Sequence, residues 1–158
     1  MTEDLNATAE KVVSHLRDRG YKLATAESCT GGMLSALITS VSGASEVLEC
    51  GFVTYSNQSK IDLLGVAPKT INTFGAVGTE TAAEMAFGAI DYSDATIGIS
   101  ITGIAGPSGG SDDKPVGTVC MAVATRDRNE FHRFHFEGDR EEVRHQSCMK
   151  AMRLLLAV

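Results

Sequence analysis

No stretch of this 158-residue sequence approaches the roughly 20 consecutive apolar residues that a membrane-spanning helix needs, so no association with a membrane is expected. The opening residues, MTEDLNATAEKVVSHLRDRG, lack the basic start and unbroken apolar run of an export signal, which points to the cytoplasm. Positive charge is short as well. Lys and Arg number 14 against 20 Asp and Glu, for a net charge of −6, so no basic face for a nucleic-acid backbone is expected. Cys29, Cys50, Cys120 and Cys148 form no C-x-x-C pair, which fits neither a zinc knuckle nor a disulfide-stapled small domain and leaves reduced thiols in or near a core. His132 and His135 have no zinc-site spacing and no clustered carboxylate partner, so neither a metal nor another cofactor is expected. A small anionic ligand remains compatible, because a few backbone amides and one or two arginines make a positive pocket even in an acidic protein.

What is present is an ordinary globular composition, 43% hydrophobic and 22% charged, at a length that suits one domain over residues 1–158. A chain of this size buries roughly 70% of its unfolded surface, enough for one core. Leu5, Ala9, Val12, Val13 and Leu16 predict an amphipathic helix over 3–19, ended by Gly20. A strand over 22–26, the turn SCTGG and a helix over 33–41 follow. VLECGFVTY, 47–55, reads as a second strand, and SNQSKIDLLG as a short helix capped by Ser56 or Asn57 and ended by Gly65. After a turn around Pro68, a helix is predicted over 79–90 and a doubly buried strand over 95–102. Five of the sixteen glycines fall in the loop 103–117. Beyond it the pattern gives a strand over 118–125, a reversal near Arg128, a strand over 130–137 and a last helix over 139–156. Alternating strands and helices with one short reversal argue for an α/β three-layer sandwich around a mixed sheet.

Ligands of such sheets bind where strands end and loops begin, which singles out 27–32, 56–60 and 103–110. Ser28 stands between a strand and a helix start, so its hydroxyl can sit beside the unpaired amides of Thr30, Gly31 and Gly32, an oxyanion-hole arrangement. The plainer alternative is that Ser28 or Thr30 only caps the helix. Lys60 can serve as the base for a serine if it is neutral, and a place near a helix start disfavours its charge; an exposed surface lysine is the alternative. Tyr55, at the end of the preceding strand, is a candidate proton relay or an ordinary core tyrosine. Cys29 is the rival nucleophile, expected to point away from Ser28. TGIAGPSGG offers Thr102, Gly103 and Gly106 with little side-chain bulk for a phosphate or ribose. Arg140 and Arg144, one helical turn apart, are candidate phosphate ligands or members of surface ion pairs.

Taken together, AESCTGG at 26–32, GFVTYSNQSK at 51–60, TGIAGPSGG with KPVGTV at 102–119, and FEGDREEVR at 136–144 resemble the CinA C-terminal domain family along nearly the whole chain. The resemblance implies a three-layer α/β/α sandwich with a mixed, mostly parallel five-stranded sheet, assembled as a homodimer or larger oligomer. It also implies the activity of the stand-alone bacterial members, deamidation of nicotinamide mononucleotide to nicotinate mononucleotide and ammonia. Ser28 then matches the family nucleophile, Lys60 its base and Tyr55 its assisting tyrosine. Longer members carry an N-terminal domain resembling molybdopterin-binding proteins, for which the residues before Ala26 are too few, so no pyrophosphatase activity is expected. Gly78 departs from the serine more often found there, with Thr79 as the expected substitute cap. A non-catalytic nucleotide-binding module of the same fold is the alternative function.

Overall fold

The computed structural model describes residues 4–158. One sheet holds β1 (Leu23–Glu27), β2 (Leu48–Val53), β3 (Ile97–Gly103), β4 (Thr118–Ala124) and β5 (Asn129–His135), in the order β2-β1-β3-β4-β5. β1 pairs in parallel with β2 and with β3, whereas β4 is antiparallel to both β3 and β5. Four strands therefore run one way and β4 alone runs against them, the mixed sheet that the reversal near Arg128 announces. Interior β1, β3 and β4 are buried almost throughout; the edge strands β2 and β5 alternate between more and less exposed positions.

The helices are α1 (Leu5–Asp18), α2 (Met33–Thr39), α3 (Asn57–Leu64), α4 (Pro68–Phe74), α5 (Thr79–Asp91) and α6 (Arg140–Leu156). Side-chain alternation sorts them into two layers. Leu23, Ile97, Ile99, Ile101, Val119 and Met121 face α1, α2 and α6 with bulky side chains. On the opposite face Ala24, Ala26, Ala122 and Ala124 present small ones to α3, α4 and α5. Small residues let backbones approach: a Cβ on Gly98 would stand 2.4 Å from Ala86 O, and one on Gly88 only 2.0 Å from Leu64 O. Gly88 thus sets the distance between α5 and the end of α3. Gly88→Ala should lower stability by roughly 1–3 kcal/mol, because overpacking against backbone outweighs the gain of up to ~1 kcal/mol in helix propensity. Thermal unfolding checks this, and a raised Tm would show that propensity dominates.

The start of the first helix expected at residue 3 lies outside the described residues; Asp4 caps it, its carboxylate accepting from Asn6 N. The turn expected at Pro68 is a two-turn helix, with Pro68 at its first position, where a fixed φ suits the helix and the missing N–H costs nothing. A 3₁₀ turn at Ala44–Glu46 was not legible either. β2 ends at Val53, two residues short of the strand expected to Tyr55, which releases Thr54 and Tyr55 toward the loops. Gly78, in extended backbone, is the N-cap of α5 and supplies no side-chain bond, so Thr79, one residue inside, does not replace the missing serine cap. Asp139 caps α6 in a reciprocal box with Glu142. Among the described residues no helix is long and apolar enough to cross a membrane.

Candidate active site

The parallel strands β1, β2 and β3 all deliver their C-terminal ends to one edge of the sheet. Ser28 follows β1, Thr54 and Tyr55 follow β2, and the glycine-rich loop follows β3. A cavity of about 260 Å³ opens there, lined by Ser28, Cys29, Tyr55, Lys60, Thr102, Gly103, Gly106 and Arg140, with Ala76, Val77, Ile104 and Ala105 as its apolar wall. All three loops singled out by sequence therefore meet.

Ser56 caps α3 through a bond from Ser59 N to its hydroxyl, so Lys60 is the fourth helical residue and its side chain turns inward. Lys60 is 1% exposed. Its Nζ lies 3.0 Å from Ser28 Oγ and donates to Thr54 O at 2.8 Å. Burial lowers its pKa from the ordinary 10.5, with Cys29 opposing, so desolvation is the largest cause. Ser28 is itself nearly buried, and its amide donates to Ile101 O at 2.9 Å, which fixes the residue to β3. Cys29 also borders the cavity, but burial pushes its thiol up to about 11, which keeps it protonated and a poor nucleophile near neutrality.

At the mouth, Arg140 donates from Nη1 to Gly106 O at 2.8 Å and from Nη2 to the Tyr55 hydroxyl at 3.0 Å. Tyr55 is 62% exposed, and its hydroxyl bonds to Arg140, not to Ser28 or Lys60. Thr102 donates its hydroxyl to Ala76 O at 2.8 Å, anchoring the apolar wall to the end of β3. No carboxylate lines the cavity among the described residues; its charged groups are Lys60 and Arg140.

Thr30, Gly31 and Gly32 are placed differently from expectation. None of the three lines the cavity. The Gly31 amide is spent on Ser28 O, and Thr30 is fully buried with its hydroxyl on Glu27. Gly31 and Gly32, at φ of 58° and 100°, supply a left-handed corner that only glycine adopts readily, and their part is to turn the chain into α2.

One supporting residue was missed from the sequence and another, Arg144, was expected in a different part. Glu27, completely buried, accepts from Thr30 Oγ1 at 2.6 Å, Leu34 N at 2.9 Å, Ser35 N at 3.1 Å and Ser35 Oγ at 2.8 Å. It caps α2 from outside the helix, because Gly32 at the N-cap has no side chain to do so. The readable signal was an acid closing an otherwise apolar strand just before a helix. Arg144, a candidate phosphate ligand, instead holds the turn from its other side, with Nε on Cys29 O at 3.1 Å and Nη2 on Thr30 O at 3.0 Å. Among the described residues no group of three His, Cys, Asp or Glu is arranged to hold a metal ion.

The chain as a whole has relatives among known proteins. The CinA C-terminal domain model matches residues 5–158. The nicotinamide-nucleotide amidohydrolase PncC of Escherichia coli (strain K12) is 45% identical over 153 residues, covering 96% of this chain and 93% of that protein. A CinA-like protein of Syntrophobacter fumaroxidans is 47% identical over 150 residues, 94% of this chain, which spans only 35% of that relative's length. The crystal structure of competence/damage inducible protein CihA from Agrobacterium tumefaciens superposes with a TM-score of 0.95 at 40% identity, covering 99% of this chain and 96% of the other.

Proposed function

Because this chain belongs to the CinA C-terminal domain family, we propose that it deamidates nicotinamide mononucleotide to nicotinate mononucleotide and ammonia, with Ser28 as nucleophile and Lys60 as base. The observation that carries the reading is the buried contact of 3.0 Å between Lys60 Nζ and Ser28 Oγ. An amine shut away from water, with no carboxylate beside it, favours its neutral form, and a neutral amine accepts a serine proton. The substrate comes from what the E. coli relative is named for, and a cavity that holds Arg140 and no carboxylate supports an anionic nucleotide.

In the proposed sequence the Ser28 hydroxyl donates to the Lys60 lone pair while its oxygen attacks the carboxamide carbon. The proton passes to Lys60 and the carbonyl oxygen becomes an oxyanion. Lys60 then protonates the departing nitrogen, ammonia leaves, and a nicotinoyl ester remains on Ser28. Water attacks that ester, Lys60 takes its proton, and collapse returns the proton to Ser28 as the acid is released. Ala105 and Gly106 line the cavity and their amides donate to no described residue, which makes them the candidate oxyanion donors in place of Thr30, Gly31 and Gly32. Arg140 stands at the mouth for the phosphate, and Tyr55, bonded to it, is assigned to hold the mouth in place of the proton relay.

Purified protein should release ammonia from nicotinamide mononucleotide without added metal, more slowly from the riboside, and least from free nicotinamide. An enzyme-coupled ammonia assay on the three compounds reads this. No ammonia from any of them overturns the reading.

A further inference from the structure

The protonation cycle of Lys60 leaves one hydrogen bond unaccounted for. A neutral amine has two N–H groups and a lone pair, whereas the ammonium has three N–H groups and needs three acceptors. Among the described residues Lys60 Nζ has two polar partners, Ser28 Oγ and Thr54 O. The second of these belongs to a residue that carries an anomaly. Thr54 is completely buried, and its Oγ1 is, among the described residues, one of two buried side-chain polar atoms with no hydrogen-bond partner, the other being Asn129 Oδ1 at the start of β5. A hydroxyl shut from solvent and unpaired is costly, and few native structures retain one without a use.

We propose that Thr54 is a positioning residue for the base: its hydroxyl, idle while Lys60 is neutral, accepts the third N–H once Lys60 has taken the serine proton. The inference rests on Lys60 being the base and not on which amide is cleaved. The backbone of Thr54 cannot drift from Lys60, because its amide donates to Glu27 O at 2.9 Å and its carbonyl already holds Nζ at 2.8 Å. Its side chain is free to rotate about the Cα–Cβ bond, because Oγ1 is tied to no partner. Ionisable groups on the neighbouring elements are engaged elsewhere. Cys29, on the turn after β1, is a protonated thiol; Tyr55, after β2, is engaged by Arg140 of α6; Glu84 of α5 accepts from Ala67 N at 2.9 Å; and Glu27 is saturated by α2.

Thr54→Val keeps the shape and removes the hydroxyl, and Thr54→Ser restores it. The Lys60 titration can be followed by the ¹³Cε resonance of labelled lysine, assigned by its loss in Lys60→Met. In Thr54→Val the midpoint should move about one unit to lower pH, and kcat should fall roughly tenfold, the scale of one hydrogen bond to a charged group. Thr54→Ser should stay within about twofold of the parent in kcat, with an unmoved midpoint, and the Val variant should melt no lower than the parent. An unmoved midpoint in Thr54→Val overturns the proposal, as does equal loss of rate in both variants. Failure of Thr54→Val to fold overturns it too, since an idle hydroxyl is not needed for folding. If the parent protein releases no ammonia from the mononucleotide, the functional reading fails while the midpoint comparison still answers the question about Thr54.

Discussion

Ser28→Ala is expected to lower kcat for ammonia release from nicotinamide mononucleotide by roughly four to six orders of magnitude, the range seen when a hydrolase loses a nucleophile. The loss should be nearly all in kcat, because the methyl side chain removes only a group that reacts. Folding should be little affected: the structural bond of Ser28 is its amide on Ile101 O, which alanine retains. Comparison with Cys29→Ala separates the two nucleophiles that sit side by side. Cys29→Ala should keep most of the activity, since a thiol held at about 11 has little thiolate near neutrality. Ammonia release at the parent rate by Ser28→Ala would remove the serine from the mechanism.

The second large effect is at Lys60. Lys60→Met should reduce kcat/KM by about 10²–10⁴-fold, the usual contribution of a positioned base, while leaving the protein folded. Its pH behaviour has a definite sign. In the parent protein kcat/KM should rise with pH through the titration of Lys60, because the neutral amine is the active form, and the lowered pKa brings that rise below the ordinary 10.5. Stability follows the same group. The unfolded chain binds the lysine proton more tightly than the folded one, so stability falls as pH drops from about 10.5 to the folded pKa, and below that the full cost is borne. Lys60→Met lacks this term. Relative to the parent it should therefore gain stability as pH is lowered through that window. Denaturant titrations across the range check this, and a difference that does not change with pH would show that Lys60 is not desolvated.

The sheet was legible because its inner strands are apolar throughout, as ATIGISIT shows, and because short reversals such as Thr125–Arg128 leave only an antiparallel option. α4 was not, since proline both ends helices and begins them, and only the packing of Ile71 decides between the two. The site divides along the same line. Ser28, Lys60 and the glycine loop stood out as residue types at strand ends. That Lys60 is buried was invisible, because a lysine in a helix with Asn57, Gln58 and Ser59 reads as solvated until α3 is docked on α5. The parts played by Glu27 and Arg144 escaped for a related reason: each bonds backbone amides or carbonyls next to the Ser28 turn, and such bonds leave no trace in side-chain spacing. The orphan hydroxyl of Thr54 can be counted only once every neighbour has been placed.

Arg144 reaches Cys29 O across 115 residues of chain, and Arg140 reaches Tyr55 across 85. During synthesis, Ser28 and Lys60 emerge long before either arginine, so in the nascent chain the turn that carries Ser28 has no clamp. Contacts of such separation are among the last to form, since a long loop must close before they yield anything. Activity is therefore expected only once α6 has docked on the turn. A ribosome-bound fragment ending before α6 would hold the right atoms and yet remain inert.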